Sequence, residues 1–251
     1  MDIEYHIWYS PSLNQDMELK IYGYSGKPVV VFPSSGGRFY EYEDFGMIHA
    51  CQSFIDAGKI RIFAIDSIDR QSWLNFNIHP VDRARRHDAY ERYIVDELVP
   101  FIRQYCSDDT QFMATGCSMG AYHAANFFFR HPDVFDSVIG LSGLYGPNYL
   151  LKNYMDEHVY YYFPLAYLPG LHDPWFIDKY RKSRIMLCVG QGAWEKCDDY
   201  DCIEDTRRLK EILESKSIPC WVDFWGFDVN HDWVWWKIQM PYFLGMSIGN
   251  G

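Results

Sequence analysis

The sequence predicts an α/β fold, a single domain built around a mostly parallel, doubly wound sheet. Three observations carry that expectation. Short apolar runs alternate with longer amphipathic ones along the chain. Several short runs, such as VVVF and IMLCV, are apolar throughout, as strands buried on both faces are. The 251 residues contain no repeat, low-complexity tract or Ser/Gly-rich linker at which to divide one core into two.

Seven segments read as strands: Glu18–Tyr24, Pro28–Pro33, Ile60–Ser67, Gln111–Cys117, Ser137–Ser142, Arg184–Gly190 and Cys220–Trp225. Each is rich in β-branched or aromatic residues and bounded by Gly, Pro, Ser or Asp. The turn-like stretch Pro11–Asp16 marks an antiparallel lead-in at the start. Helical spacing appears in Asp82–Cys106, where Tyr90, Tyr93, Ile94, Leu98 and Ile102 recur every three or four residues. Ala121–Phe129, Thr206–Leu213 and Asp232–Phe243 read the same way. Tyr145–Tyr180 breaks the rhythm, with eleven Phe, Trp and Tyr residues and little periodicity. It is expected to be a cap-like insertion over a binding surface, or a second hydrophobic layer of short helices.

Composition excludes several classes. Thirty-four acids against 23 bases give a formal charge of −11, with no basic cluster to displace counterions from nucleic acid or to meet an anionic membrane. No apolar run reaches the roughly 20 residues of a membrane span, and MDIEYHIWYSP lacks the pattern of a signal peptide. Seven irregularly spaced cysteines fit reduced thiols, so the expected setting is cytoplasmic. Cys197 and Cys202 lack a second Cys/His pair, so no structural metal is expected.

The sharpest motif is Gly116-Cys117-Ser118-Met119-Gly120, lying between a strand and a helical run. A G-x-S-x-G turn in that context presents a nucleophilic serine. Its glycines remove side chains that would clash, and the first amides of the helix point at a developing oxyanion. The chain order of such an elbow is serine, acid, histidine. His231, in GFDVNHDW after the last strand, is the candidate base, whereas His158 and His172 lie inside the aromatic segment. The acid belongs in the loop after Arg184–Gly190, which offers Glu195, Asp198, Asp199 and Asp201. Glu195 is nearest the strand and is preferred. Asp201 is the second choice, and with Glu204 it also forms a helix-capping box. The Met119 amide, with Ser35 in the PSSGG loop, is expected to form the oxyanion hole. Cys117 is expected to pack beneath the turn, away from the serine hydroxyl.

Four stretches resemble the α/β-hydrolases, within them the "putative esterase" group that includes feruloyl-esterase-like and antigen-85-like proteins. They are FPSSGGRFYEYED, DSIDRQSWLNFNIHPVDRARRHDAYERYIVDELVPFI, ATGCSMGAYHAANFFFRHPDVF and WGFDVNHDWVWWKIQMPYFL. The resemblance spans almost the whole chain and implies the α/β-hydrolase fold. It also implies Ser118 as nucleophile, His231 of the HDW signature as base, and ester hydrolysis through an acyl-enzyme without a cofactor. The sequence departs from the group at the acid, where WEKCDDYDC is longer than the usual one-carboxylate loop. An acyltransferase of the same fold, or a noncatalytic binding protein, is the alternative. The expected partner is a small-molecule ester, with Trp73, Tyr145, Trp175, Trp194 and Trp233 as candidate lining residues. An aromatic cap is also compatible with a homo-oligomer.

Overall fold

The computed structural model describes residues 1–107, 109–152 and 154–248. Its strands are β1 (Ile3–Ser10), β2 (Gln15–Tyr22), β3 (Lys27–Phe32), β4 (Ile60–Ile65), β5 (Phe112–Cys117), β6 (Phe135–Leu141), β7 (Arg184–Val189) and β8 (Trp221–Phe224). They form one sheet in the order β1-β2-β4-β3-β5-β6-β7-β8. The β1/β2 and β2/β4 pairs are antiparallel, and all the others are parallel.

Between β3 and β4 run the short helices α1 (Glu41–Asp44), α2 (Met47–Ala50) and α3 (Gln52–Asp56). Next come α4 (Pro80–Arg92), α5 (Val99–Cys106) and, after β5, α6 (Met119–Arg130). Four short helices link β6 to β7: α7 (Asn148–Leu151), α8 (Glu157–Tyr160), α9 (Pro164–Tyr167) and α10 (Pro174–Lys182). Finally α11 (Cys202–Ser215) precedes β8, and α12 (Trp233–Ile248) follows it. No helix among the described residues is long and apolar enough to cross a membrane.

Alternation along the central strands feeds two cores, which is what double winding requires. Val30, Phe32, Ala114, Val138 and Leu187 face the layer of α4, α5 and α6. Their neighbours Val29, Val31, Met113, Ile139 and Met186 face α2, α3 and α12, meeting Ile48, Ile55 and Met240.

The helix expected over Asp82–Cys106 is present but widens into a π-helical turn at Tyr93–Leu98 before α5. Pro100 explains the break, since it has no N–H for the ordinary bond and its ring crowds the carbonyl four residues back. β1 lies ahead of every strand marked by periodicity. Its inward Trp8 stacks on Phe101 at 5.1 Å, while Ile3, Tyr5, Ile7 and Tyr9 remain exposed on the other face.

The aromatic stretch 145–180 packs as a layer of short helices on the α6 side. Tyr145, Leu165, Tyr167 and Tyr180 enter the core beneath α6, and Leu150, Val159, Tyr162 and Phe163 pack with Trp73 and Tyr122. Arg130 at the end of α6 fastens the layer by donating to the Tyr161 carbonyl at 2.8 Å.

Candidate active site

Ser118 occupies the turn from β5 into α6 with φ +56° and ψ −120°, a left-handed backbone that a non-glycine residue adopts only under constraint. The constraint is the packing on either side. A Cβ on Gly116 would lie 2.3 Å from the Gly120 carbonyl carbon, and one on Gly120 would lie 2.3 Å from the Phe32 oxygen at the end of β3. Only glycines let strand, turn and helix approach this closely. The Ser118 amide donates to the Leu141 carbonyl at 2.8 Å, and its own carbonyl accepts from Ala121 and Tyr122 as the first turn of α6. Ser118 is nine-tenths buried, at 9% exposure.

Glu195 and His231 meet. The His231 ring nitrogen Nδ1 lies 3.0 Å from Glu195 Oε2. A carboxylate at Nδ1 holds the proton there, so in the neutral ring Nε2 is the proton acceptor. The other carboxylate oxygen, Oε1, accepts from Ser142 Oγ at 2.7 Å and from the Gly190 amide at 3.1 Å. Ser142 Oγ in turn accepts from Trp236 Nε1 at 3.1 Å. Glu195 is fully buried, and these bonds satisfy a carboxylate that would otherwise be costly to enclose. Ser142 follows Leu141, the residue that binds the Ser118 amide, so the Ser118 turn and the carboxylate hang from one strand end.

The loops after β7 and β8 are fastened to each other. Gln191 N donates to Gly226 O, Gly192 N to Val229 O and His231 N to Ala193 O, at 3.2, 2.8 and 2.9 Å. Asn230 Oδ1 accepts from the Ala193 amide at 2.8 Å. This pairing brings Glu195 under the imidazole. Trp236 covers the ring edge-on at 4.9 Å.

Asp201 does not reach His231 in this arrangement. Its side chain caps α11, accepting from the Glu204 amide at 2.9 Å, and pairs with Lys196 at 2.6 Å. The structure corrects the second choice of acid: Asp201 is a helix cap, because an N-cap oxygen must face the helix amides. Asp198 and Asp199 are exposed in the same loop.

Met119 is the first residue of α6, directly after the strained turn. On the β3 side, Glu41 anchors the PSSGG loop by accepting from Ser34 N at 2.7 Å and Ser34 Oγ at 2.6 Å. Burial raises the Glu41 carboxyl above the usual range, and the Ser34 bonds oppose that rise. Ser35 is left exposed at the tip of the turn. Cys117 faces the opposite core, 3.5 Å from Tyr42 Oη, and burial pushes its thiol far above the ordinary value. It is a packing residue.

The expected lining residues divide. Trp73 and Tyr145 have no exposed surface, which corrects their assignment to an open binding surface. Trp73 packs against His87 and Phe163, and Tyr145 fills the space left by Gly143, where a Cβ would strike its ring at 2.4 Å. Trp194 is 65% exposed beside Glu195, with φ +63°. Trp233 stacks on Phe45 at 4.6 Å, joining α12 to the segment after α1. Trp175 is exposed on α10. Ser142, Trp236 and Glu41 carry no motif of their own, and Cys202 stood out in the sequence only beside Cys197, as a pair too small for a structural metal. Cys202 Sγ lies 4.0 Å from His231 Nδ1.

The sequence profile of the family described as "Putative esterase" matches residues 10–245. An uncharacterized protein of Bacillus subtilis strain 168, YjcH, is 24% identical over 243 residues, covering 92% of this chain and 90% of that protein. Among solved structures, a ferulic acid esterase superposes with a TM-score of 0.75 at 15% identity, covering 98% of this chain and 97% of that one. An S-formylglutathione hydrolase from Agrobacterium tumefaciens gives 0.75 at 13% identity, covering 98% and 94%. The Mycobacterium tuberculosis protein MPT51 gives 0.72 at 16% identity, covering 99% and 98%. With its β1-β2-β4-β3-β5-β6-β7-β8 sheet and a profile match over nearly its full length, the chain belongs to the "Putative esterase" family of ester-hydrolysing enzymes.

Proposed function

We propose that this protein is a serine esterase that cleaves carboxylic esters through an acyl-enzyme, with Ser118, His231 and Glu195 as its triad. The observation that carries the reading is the 3.0 Å contact between Glu195 and His231 Nδ1, at the same sheet end as the strained Ser118 turn. Ser118 Oγ attacks the ester carbonyl while His231 Nε2 takes its proton. The Met119 and Ser35 amides receive the oxyanion. Collapse of the tetrahedral intermediate breaks the C–O bond, and His231 returns the proton to the departing alcohol. Water then attacks the acyl-enzyme by the same route, releasing the acid and restoring Ser118. Glu195 stays ionised and fixes the imidazole.

The exposed Trp194 and the half-buried Trp233 flank Glu195 and His231 in sequence and are the aromatic surfaces offered to substrate. Tyr149 of the 145–180 layer approaches from the other side: it packs on Tyr200 at 5.6 Å, and Tyr200 lies 6.3 Å from the His231 ring. That is the part of the layer proposed to act as a cap. The names of the structural neighbours make aryl-acid esters and acyl thioesters the two substrate classes to try first.

The test is labelling with a fluorophosphonate probe, together with turnover of a short p-nitrophenyl ester. Wild type should label and turn over, and Ser118→Ala and His231→Ala should do neither. A folded wild type that neither labels nor turns over would overturn the assignment in favour of a binding protein.

A further inference from the structure

Glu195, Cys202 and His231 each bring one metal-ligating atom into a cluster whose members all lie within 4.8 Å of one another. From this juxtaposition we propose that the buried side of the imidazole is an inhibitory site for a thiophilic divalent cation, Zn2+ in the first instance. The proposed binding site is independent of the esterase reading, whereas its effect on turnover rests on that reading.

The donor set is of the kind zinc takes: a carboxylate oxygen, an imidazole nitrogen and a thiolate sulfur. Bonds of about 2.0 Å to oxygen and nitrogen and about 2.3 Å to sulfur place tetrahedral N and O donors about 3.3 Å apart, and N and S donors about 3.6 Å apart. The structure has His231 Nδ1 at 3.0 Å from Glu195 Oε2 and at 4.0 Å from Cys202 Sγ. The first pair is about 0.3 Å closer than that spacing and the second about 0.4 Å wider, while Glu195 and Cys202 offer their ligand atoms within 4.8 Å of each other. Glu195 and Cys202 are fully buried, and the more accessible imidazole is the side from which an ion would enter. The backbone already couples two of the ligands, since the Cys202 amide donates to the Glu195 carbonyl at 2.9 Å.

Charge and proton balance explain why such an ion would silence the enzyme. Cys202 loses its thiol proton to solvent, so carboxylate and thiolate together neutralise the dication. Coordination at Nδ1 uses the lone pair there, so the proton of the neutral ring moves to Nε2. A ring carrying its proton on Nε2 cannot take one from Ser118. No bond to Ser118 or to substrate is needed for the block.

The test uses the full-length protein and reads binding separately from catalysis. Co2+ added to the metal-free wild type should produce a near-ultraviolet thiolate-to-cobalt charge-transfer band that Zn2+ abolishes. Cys202→Ser should lack the band, and Cys202→Ala serves if the serine variant melts early. Zn2+ should suppress p-nitrophenyl ester turnover of wild type, and chelation should restore it. Measured against its own zinc-free turnover, Cys202→Ser should need about tenfold or more zinc for the same fractional suppression. A wild-type band that survives in Cys202→Ser but disappears in Cys197→Ser would overturn the site in favour of the exposed thiol. Absence of any band, or equal zinc sensitivity of wild type and Cys202→Ser, would also overturn it. Should the protein prove to have no esterase turnover, the cobalt band still decides the site, so the two failures are distinguishable.

Discussion

Ser142 Oγ donates to Oε1 of Glu195 at 2.7 Å, the carboxylate oxygen that His231 leaves unused. Fifty-three residues separate the two in the chain. Trp236 Nε1 donates to the same hydroxyl, so a Trp–Ser–Glu–His relay fixes the imidazole from behind. Ser142→Ala removes one of two donors to Oε1 and leaves the indole N–H without its acceptor. A hydrogen bond to a buried charge is worth about 2 kcal/mol, so kcat should fall roughly 10- to 100-fold with KM little changed. Steady-state kinetics with a p-nitrophenyl ester checks this. A matching rise in KM would mean that Ser142 acts on substrate binding.

The two acids of one loop should separate cleanly. Glu195→Gln loses the charge that holds the Nδ1 proton, and kcat should drop about 10³- to 10⁴-fold in a folded protein. Asp201→Ala loses an N-cap and an exposed Lys196 contact, so stability should fall by about 1 kcal/mol while activity persists. Urea denaturation and kinetics on both variants give the comparison.

Glycines of different function should respond in opposite directions to one methyl group. Gly120→Ala drives a Cβ to 2.3 Å from the Phe32 oxygen, which is backbone and cannot swing aside. The α6 terminus must move, with a stability cost of about 2 kcal/mol or more and loss of turnover through the displaced Met119 amide. Gly245→Ala on α12 meets its nearest atom, Phe54 Cζ, at 3.7 Å and should stabilise the helix by up to about 1 kcal/mol. Thermal melting of the two variants tests the contrast.

Asp205 on α11 provides a pH signature away from the chemistry. Burial raises its carboxyl from 3.8 to about 6, against the opposing hydrogen bond from the Gly146 amide. The folded protein holds this proton more tightly than the unfolded chain does. The group's contribution to stability is therefore complete below pH 3.8 and is lost as pH rises through about 6. Asp205→Asn removes that term. Urea midpoints at several pH values should show wild type losing ground to the variant between pH 4 and 6, and a constant gap would contradict the shift.

The Ser118 turn was legible because its chemistry and its sterics use the same residues: Gly116 and Gly120 are needed wherever a strand must reverse tightly into a helix. That His231 meets a carboxylate from the loop after β7 was legible from chain order. The choice between Glu195 and Asp201 was not, because both lie in one polar loop and only its pairing with residues 226–231 decides which carboxylate turns inward. Ser142 and Trp236 gave no signal. A hydroxyl and an indole become relay members only through contacts with residues distant in the chain. Trp73 and Tyr145 misled for the opposite reason, since an aromatic residue in a loop says nothing about whether its ring points out or in.

The proposed triad is unevenly mounted on the sheet. Ser118 leaves β5, which has strands on both sides, while Glu195 and His231 leave β7 and β8. β8 is a four-residue edge strand with no fully buried side chain, paired among the described residues only with β7. Edges fray at lower cost than centres do. Mild heat or denaturant should therefore silence turnover while the middle of the sheet still holds, so working lifetime is governed by the margin of the fold.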